Sequence, residues 1–407
     1  MSYIWVPSGA TFGFLKDILW TRPGKAGATE VVIDHGRELD DEHLHAQRVK
    51  EGYMPVNIDP FHSTDNILNR HSEWWMASAH ALKGKDGRFA KKAGVNMLAD
   101  SGGWQIKSGA ADFLDPHKVI DIHNQCAEVG MVLDYPTHRD VDTTDESFRI
   151  LARLQRYFNK IFLAERRRDT GDELGLMNVA HGVSEAQWLS YIDIVNDPEQ
   201  FLGWAISQDS GRDKACIYRG AAVLYRNLGI RDQWVHLFGV SGPNMIPVVA
   251  WLGNKYFSHL TSDSSSWQGA RWAHFMHLQD GALRTIKIGR ENSEVVDATP
   301  LEGVCSCEFC KVMGTFGRYR QEDAYPALNG HDLIAIQATV AHWNALAAVM
   351  DRDGYRAAIE AAYQDVPDEG ADGDSSESPV TKSLRHFDYL EAAMTEGPRY
   401  ADKYYGL

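Results

Sequence analysis

The chain has 407 residues, of which 44% are hydrophobic and 24% charged, and its formal net charge is −15. That size and composition suit a soluble globular protein with one large domain or two medium ones. No run approaches the roughly 18 apolar residues that suggest a membrane span, and the acidic excess disfavours a protein that coats nucleic acid indiscriminately, because phosphate contacts need Lys and Arg.

In chain order, the N-terminus MSYIWVPSGATFGF lacks the basic-then-apolar pattern of a secretory signal, so a cytoplasmic location is expected. Eight short β-like runs follow: VVID (31–34), YMPVNI (53–58), VNMLAD (95–100), GMVLD (130–134), LMNVAHG (176–182), GWAIS (203–207), WVHLFGV (234–240) and YFSHLTSD (256–263). Between them lie amphipathic patterns such as DESFRILARLQRYFNKIFLAERRRD and SEAQWLSYIDIV. Strands alternating with helices at this spacing predict an α/β fold, a (β/α)8 barrel, with the first two strands the weakest members. The barrel with its N-terminal extension is expected over 1–300, a zinc-binding subdomain over 301–345, and a C-terminal helical segment over 346–407.

Two local charge features interrupt that pattern. Segment 365–379 carries six acids and no base and reads as a linker or loop, while KGKDGRFAKK (83–92) and ERRRD (165–169) are basic clusters. Solvated surface is the simpler reading of either basic cluster alone; tracking a phosphate backbone is the sharper one. DEHLHAQR near the N-terminus reads as a solvated helix face rather than a metal site. His35, His43, His45, His62, His71 and His80 form no clear ligand pair at strand ends.

CSCEFC places Cys305, Cys307 and Cys310 within six residues. In a reducing compartment such spacing favours a metal over a disulfide. Zinc takes four soft or borderline ligands in a tetrahedron, so a fourth must come from elsewhere. His331 is the best candidate and His342 the next, both on the following helix. A Cys3His shell leaves no open position, so this zinc would hold structure rather than catalyse. Cys126 and Cys216 stand alone and read as core.

Acids close three of the runs: Asp100, Asp134 and Asp263. Capping the next helix would explain any one of them. Three at the mouth of one barrel favour catalysis, and paired carboxylates suit glycosyl chemistry, in which one attacks the anomeric carbon and the other manages a proton.

The order LADSGGWQ, VLDYP, HLFGVSGP, TSDSSSW and then Cys-x-Cys-x-x-Cys with a later His resembles the tRNA-guanine transglycosylase superfamily over roughly 53–342. The resemblance implies a barrel with an inserted zinc subdomain and a pentosyltransferase that exchanges a guanine in a polynucleotide for a 7-deazaguanine base. It implies Asp263 as nucleophile, Asp100 as general acid/base and Asp134 as the acceptor for the guanine edge. Trp104 would lie against the base and Phe238 would flank it; Ser101 and Gln105 belong to the same base-binding element. His181, in VAHG, stands where a base-contacting Gln occurs in bacterial tRNA enzymes, and Ser207 and Gln208 replace a Gly-Gly segment that reads the 7-substituent. No module like the archaeal C-terminal RNA-binding domain is evident.

These departures are similar to those of the DNA-guanine transglycosylases of bacterial and phage 7-deazaguanine DNA modification systems (Dpd type). DNA is therefore the favoured substrate and tRNA the alternative, with 7-cyano-7-deazaguanine or a relative as the incoming base. A partner ATPase and a homodimer are further expectations of the resemblance. Two other classes stay open: a noncatalytic zinc-barrel subunit, whose mark would be loss of the nucleophile, and a metal-dependent hydrolase, which would need a metal at the strand mouths.

Overall fold

The computed structural model describes residues 3–9, 18–23, 29–34, 42–56, 68–84, 91, 94–107, 109, 112, 115–135, 144–195, 197, 200–207, 215–240, 242–268, 275–287, 295–297, 305, 307, 309–310, 318–364, 366 and 377–405. Eight parallel strands close into a barrel. They are β1 (Ile4–Gly9), β2 (Trp74–Ser78), β3 (Asn96–Asp100), β4 (Val129–Met131), β5 (Gly175–Ala180), β6 (Gly203–Ile206), β7 (Trp234–Leu237) and β8 (His259–Ser264). Each strand pairs with its sequence neighbour, and β1 closes the ring by pairing with β8 over residues 4–7 and with β2 over residues 8–9.

Helices α1 (Pro116–Cys126), α2 (Asp145–Glu165), α3 (Glu185–Val195), α4 (Ala215–Asn227) and α5 (Ile246–Lys255) fill the connections from β3 to β8. Their starts carry local signals. Asp115 caps α1 ahead of Pro116, and the Thr144 hydroxyl accepts from the Ser147 amide at the start of α2. Along α2, Phe148, Ala152, Gln155, Phe158, Asn159 and Phe162 fall at helical spacing and are buried. The polar members of that face are linked in a ladder: Gln155 donates to Asn159, Asn159 to Asn178 on β5, and Asn178 to the Val195 carbonyl.

The expected barrel strands at 31–34 and 53–58 are corrected by the structure. Thr29–Asp34 and Met54–Val56 both pair antiparallel with Ile18–Pro23 in a separate three-stranded sheet between β1 and β2. The true barrel strands are IWVPSG and WWMAS. Pro7 and Gly9 disguise the first, and adjacent tryptophans disguise the alternation of the second. Pro7 sits where β1 passes from one partner strand to the other.

Strand alternation sorts the barrel interior into layers. Trp74 and Trp234 meet edge to face at 5.0 Å at the N-terminal end of the strands. Val6, Met76, Leu98, Val129, Met131, Met177, Val179 and Ala205 fill the middle as one apolar cluster. At the C-terminal ends, the same inward parity brings up Asp100, His181, Ser207, Phe238 and Asp263.

After β8 the chain forms two antiparallel pairs, Phe275–His277 with Thr285–Lys287 and Val295–Asp297 with Arg318–Arg320. The 29-residue helix α6 (Gln321–Val349) then occupies the last helical place around the barrel. The Gln337 amide donates to the Trp5 carbonyl, and Asn344 both accepts from and donates to the Tyr3 backbone, so α6 is stitched to the start of β1. Helices α7 (Arg352–Tyr363) and α8 (Pro379–Thr395) complete the outer layer, with Tyr355, Trp251, Trp343 and Phe387 in mutual ring contact. Cys126 and Cys216 are buried, as expected.

Candidate functional site

The three acids stand at the C-terminal mouth of the barrel, where a (β/α)8 fold carries its chemistry. Asp100 ends β3, Asp134 follows β4 by three residues, and Asp263 lies within β8. Asp100 keeps partial exposure at the mouth, but its carboxyl is enclosed by protein. Burial, reinforced by the negative charges of Asp134 and Asp263, pushes that carboxyl up to about 8 from an ordinary 3.8. The amides of Gly102 and Ser101 lean the other way without winning. Gly102 adopts φ +86°, a turn that L side chains resist, and a Cβ there would press on the His80 ring. Asp100 is therefore a neutral acid at pH 7, able to give up a proton.

Asp263 is held differently. Its Oδ1 accepts from the Gly239 amide at 3.0 Å and from His236 Nε2 at 3.2 Å. Oδ2 has no hydrogen-bond partner among the described residues, so one oxygen is anchored and the other is available. His236 is fully buried, and its ring meets Phe238 edge to face at 5.0 Å. Phe238 thus lies beside the histidine that contacts Asp263.

Around Asp134 the polar contacts converge. The Ser101 hydroxyl donates to its Oδ1 at 2.7 Å, and His181 Nε2 lies 3.2 Å from Oδ2. That approach is close enough for attraction but off the line of a hydrogen bond, and neither nitrogen of His181 has a hydrogen-bond partner among the described residues. A 1% exposed imidazole with two unsatisfied nitrogens is costly unless something else completes it. Tyr191 packs against the same ring, and burial together with the Asp134 charge raises its phenol well above the usual range. Ser207 closes β6 at the same level and is buried. Gln105 lies on the short helix Gly103–Lys107, which also carries the backbone of Trp104. The Trp104 side chain and Gln208 lie outside the described residues.

The second centre is the cluster of Cys305, Cys307, Cys310 and His331, whose ligand atoms all lie within 4.8 Å of one another. His331 Nε2 is 2.6 Å from the His277 carbonyl, to which it can donate only with the proton on Nε2. Nδ1, 3.3 Å from Cys307 Sγ and 3.1 Å from Cys310 Sγ, is then left with its lone pair facing the thiols. The Cys307 amide donates to Cys305 Sγ and the Cys310 amide to Cys307 Sγ. The hydrogen bond between Cys307 and Cys310 pulls the Cys307 thiol down and pushes that of Cys310 up. Three sulfurs and one imidazole are a donor set that fits zinc and can hold a metal ion. His342, the other candidate ligand, is not in the cluster; it packs against Gly281 and Trp343.

Lys91 and the arginines of the second basic cluster stand away from the mouth. Lys91 precedes β3 and Arg166, Arg167 and Arg168 precede β5, so these described residues lie at the opposite end of the barrel from the carboxylates, whereas Lys83 follows β2. Arg166, Arg167 and Arg168 donate to the carbonyls of Gln200, Asn124, Ala127, Asp172 and Leu163, which engages them in structure. Lys91 faces Asp172, while residues 85–90 and 92 of the other cluster, like residues 367–376 of the acidic segment, lie outside the described residues. A separate open cleft of about 550 Å³, lined by Arg153, Arg156, Tyr157, Lys160 and Ile194, lies on the outer side of α2 and α3.

The sequence reading missed His236, Thr261 and Tyr191. For His236 the signal was available: it is two residues before Phe238 on the same inward face of β7. No protein-family model matches the sequence, and no curated protein matches it.

Proposed function

We propose that the protein is a nucleic-acid guanine transglycosylase that replaces guanine in DNA with a 7-deazaguanine base. The observation that carries this reading is the pairing, at one barrel mouth, of a carboxyl kept neutral by its neighbours, Asp100, with a carboxylate anchored through one oxygen, Asp263. A carboxyl kept protonated by its surroundings beside one held by hydrogen bonds through a single oxygen supplies an acid and a nucleophile.

In the first half-reaction Asp263 Oδ2 attacks C1′ of the target nucleoside. The C1′–Oδ2 bond forms, the C1′–N9 bond breaks, and Asp100 delivers its proton to the departing guanine. In the second, the incoming base gives its N9 proton to the Asp100 carboxylate, N9 attacks C1′, and Asp263 leaves. The cycle balances, and Asp100 ends as it began. Asp134 accepts from guanine N1–H and N2–H, a donor pair that adenine lacks. His181, with unsatisfied nitrogens beside it, completes the same base edge. A duplex must flip its nucleotide out to reach this mouth, at a cost of a few kcal/mol.

DNA is favoured over tRNA by the departures at His181, Ser207 and Gln208, and by the use of α7 and α8 to cover the barrel rather than to build a separate RNA module among the described residues. The Cys3His cluster would hold zinc as a structural ion. Offering labelled guanine with double-stranded DNA, single-stranded DNA and tRNA in parallel tests the reading. Label in DNA that is lost with Asp263→Asn supports it, and label in tRNA alone transfers the protein to the tRNA branch.

A further inference from the structure

β7 and β8 pair in the register Trp234↔His259, Val235↔Leu260, His236↔Thr261 and Leu237↔Ser262. Alternation turns Trp234, His236, Thr261 and Asp263 into the barrel, and their polar atoms form one column along its axis. Trp234 Nε1 is 2.6 Å from Thr261 Oγ1, Thr261 Oγ1 is 2.8 Å from His236 Nδ1, and His236 Nε2 is 3.2 Å from Asp263 Oδ1.

The direction of each hydrogen bond follows from what each group can do. An indole N–H only donates, so Thr261 Oγ1 accepts from it. The threonine hydroxyl then has one hydrogen to give, and the acceptor in contact is His236 Nδ1. The imidazole is left with its hydrogen on Nε2, aimed at Asp263. The ring is fully buried.

We infer that His236 is the positioning residue of the nucleophile: the Trp234–Thr261 pair sets its tautomer, and its Nε2–H, with the Gly239 amide, fixes Asp263 so that Oδ2 faces C1′ of the target nucleoside. This rests on the reading of Asp263 as nucleophile. His236 transfers no proton in the cycle. In the glycosyl-enzyme Oδ2 is esterified and Oδ1 becomes the ester carbonyl oxygen. As the second base displaces Asp263, negative charge returns to the carboxylate, and the two donors on Oδ1 stabilise it.

The test uses the full-length, zinc-loaded protein and its His236→Phe, His236→Gln and Thr261→Val variants, each checked for folding by circular dichroism. Loss of one preorganised donor should lower kcat for guanine exchange about 10²–10³-fold in His236→Phe, with KM for the polynucleotide little changed. Gln, whose amide can present N–H where Nε2–H was, should return kcat to within about tenfold of wild type. A His236→Phe enzyme with kcat within about twofold of wild type overturns the proposal.

A second measurement needs no turnover. In ¹⁵N-histidine spectra the signal lost in His236→Gln should show a protonated Nε2 and an unprotonated Nδ1, and this preference should weaken in Thr261→Val. A protonated Nδ1 in the wild type overturns the column. If the wild type exchanges no guanine in any polynucleotide, the nucleophile role falls and the positioning role with it, while the spectra still decide the column by themselves.

Discussion

His181 Nε2 lies 3.2 Å from Asp134 Oδ2, yet neither ring nitrogen has a hydrogen-bond partner among the described residues. The two side chains come from consecutive barrel strands, and Ser101 fixes the other oxygen of Asp134. On the proposed function, a purine edge completes this buried imidazole beside the acceptor carboxylate. His181→Ala should therefore raise KM for the free base about tenfold, the worth of one hydrogen bond, with kcat less affected. Competition between labelled and unlabelled base measures it; an unchanged KM removes His181 from the base site.

The Asp100 carboxyl sets the pH behaviour. Its folded value of about 8 lies above its ordinary 3.8, so the native state holds this proton more tightly than the unfolded chain between those limits. Stability from this residue is fully present below pH 4 and is lost as pH rises through 8. Asp100→Asn should therefore raise the melting temperature relative to wild type at pH 9 and lose that advantage near pH 4. The same variant should lower the exchange rate about 10²–10⁴-fold. It should also abolish the basic limb near pH 8 in kcat/KM for the polynucleotide. Equal melting shifts at both pH values would contradict the assignment.

Metal removal probes the second centre. His331 belongs to α6, the helix that is also stitched to β1, so the ion's loss should be felt beyond the cluster. Purified protein should carry one zinc per chain by elemental analysis. A strong chelator, or His331→Ala, should remove the zinc and lower the melting temperature, and re-addition of zinc should restore only the chelated wild type. Retention of the zinc by His331→Ala would show that another residue completes the shell.

Gly203 tests the barrel itself. A Cβ at this position would run into the Trp234 carbonyl on the neighbouring strand. The two strands pair at these residues, Gly203↔Trp234, so neither can move without breaking the ladder between β6 and β7. Gly203→Ala should yield insoluble or markedly destabilised protein, whereas the same change at solvent-facing Gly171 should cost far less. Soluble expression and thermal melting compare them.

The legible and illegible parts of the molecule separate on physical grounds. Strands such as Gly203–Ile206 and Gly175–Ala180 are covered on both faces and read as apolar runs ended by a turn. Ile4–Gly9 has the same environment but carries Pro7 and a terminal glycine. Val31–Asp34 shows a better strand pattern than Ile4–Gly9 and is a strand, though of another sheet, because local pattern does not encode the partner. The metal cluster follows the same logic. Cysteine spacing marks three ligands, but His331 and His342 are eleven residues apart, about three helical turns, and so share a face. The His277 carbonyl distinguishes them by accepting a hydrogen bond from His331 Nε2. His236 shares the inward spacing of Phe238, but a lone histidine in an apolar strand ordinarily reads as core, and its role depends on Thr261 and Asp263 of the adjacent strand.

The central claim is a covalent exchange of guanine in DNA through Asp263, and it is tested most directly by trapping. Wild-type protein is mixed with a double-stranded DNA oligonucleotide and a 7-deazaguanine base, denatured, and examined by intact mass spectrometry. The account expects a protein–DNA adduct that lacks one guanine, maps to Asp263 and is absent in Asp263→Asn, together with incorporation of the labelled base into the DNA. Incorporation that persists in Asp263→Asn, or label that enters tRNA and never DNA, would contradict it.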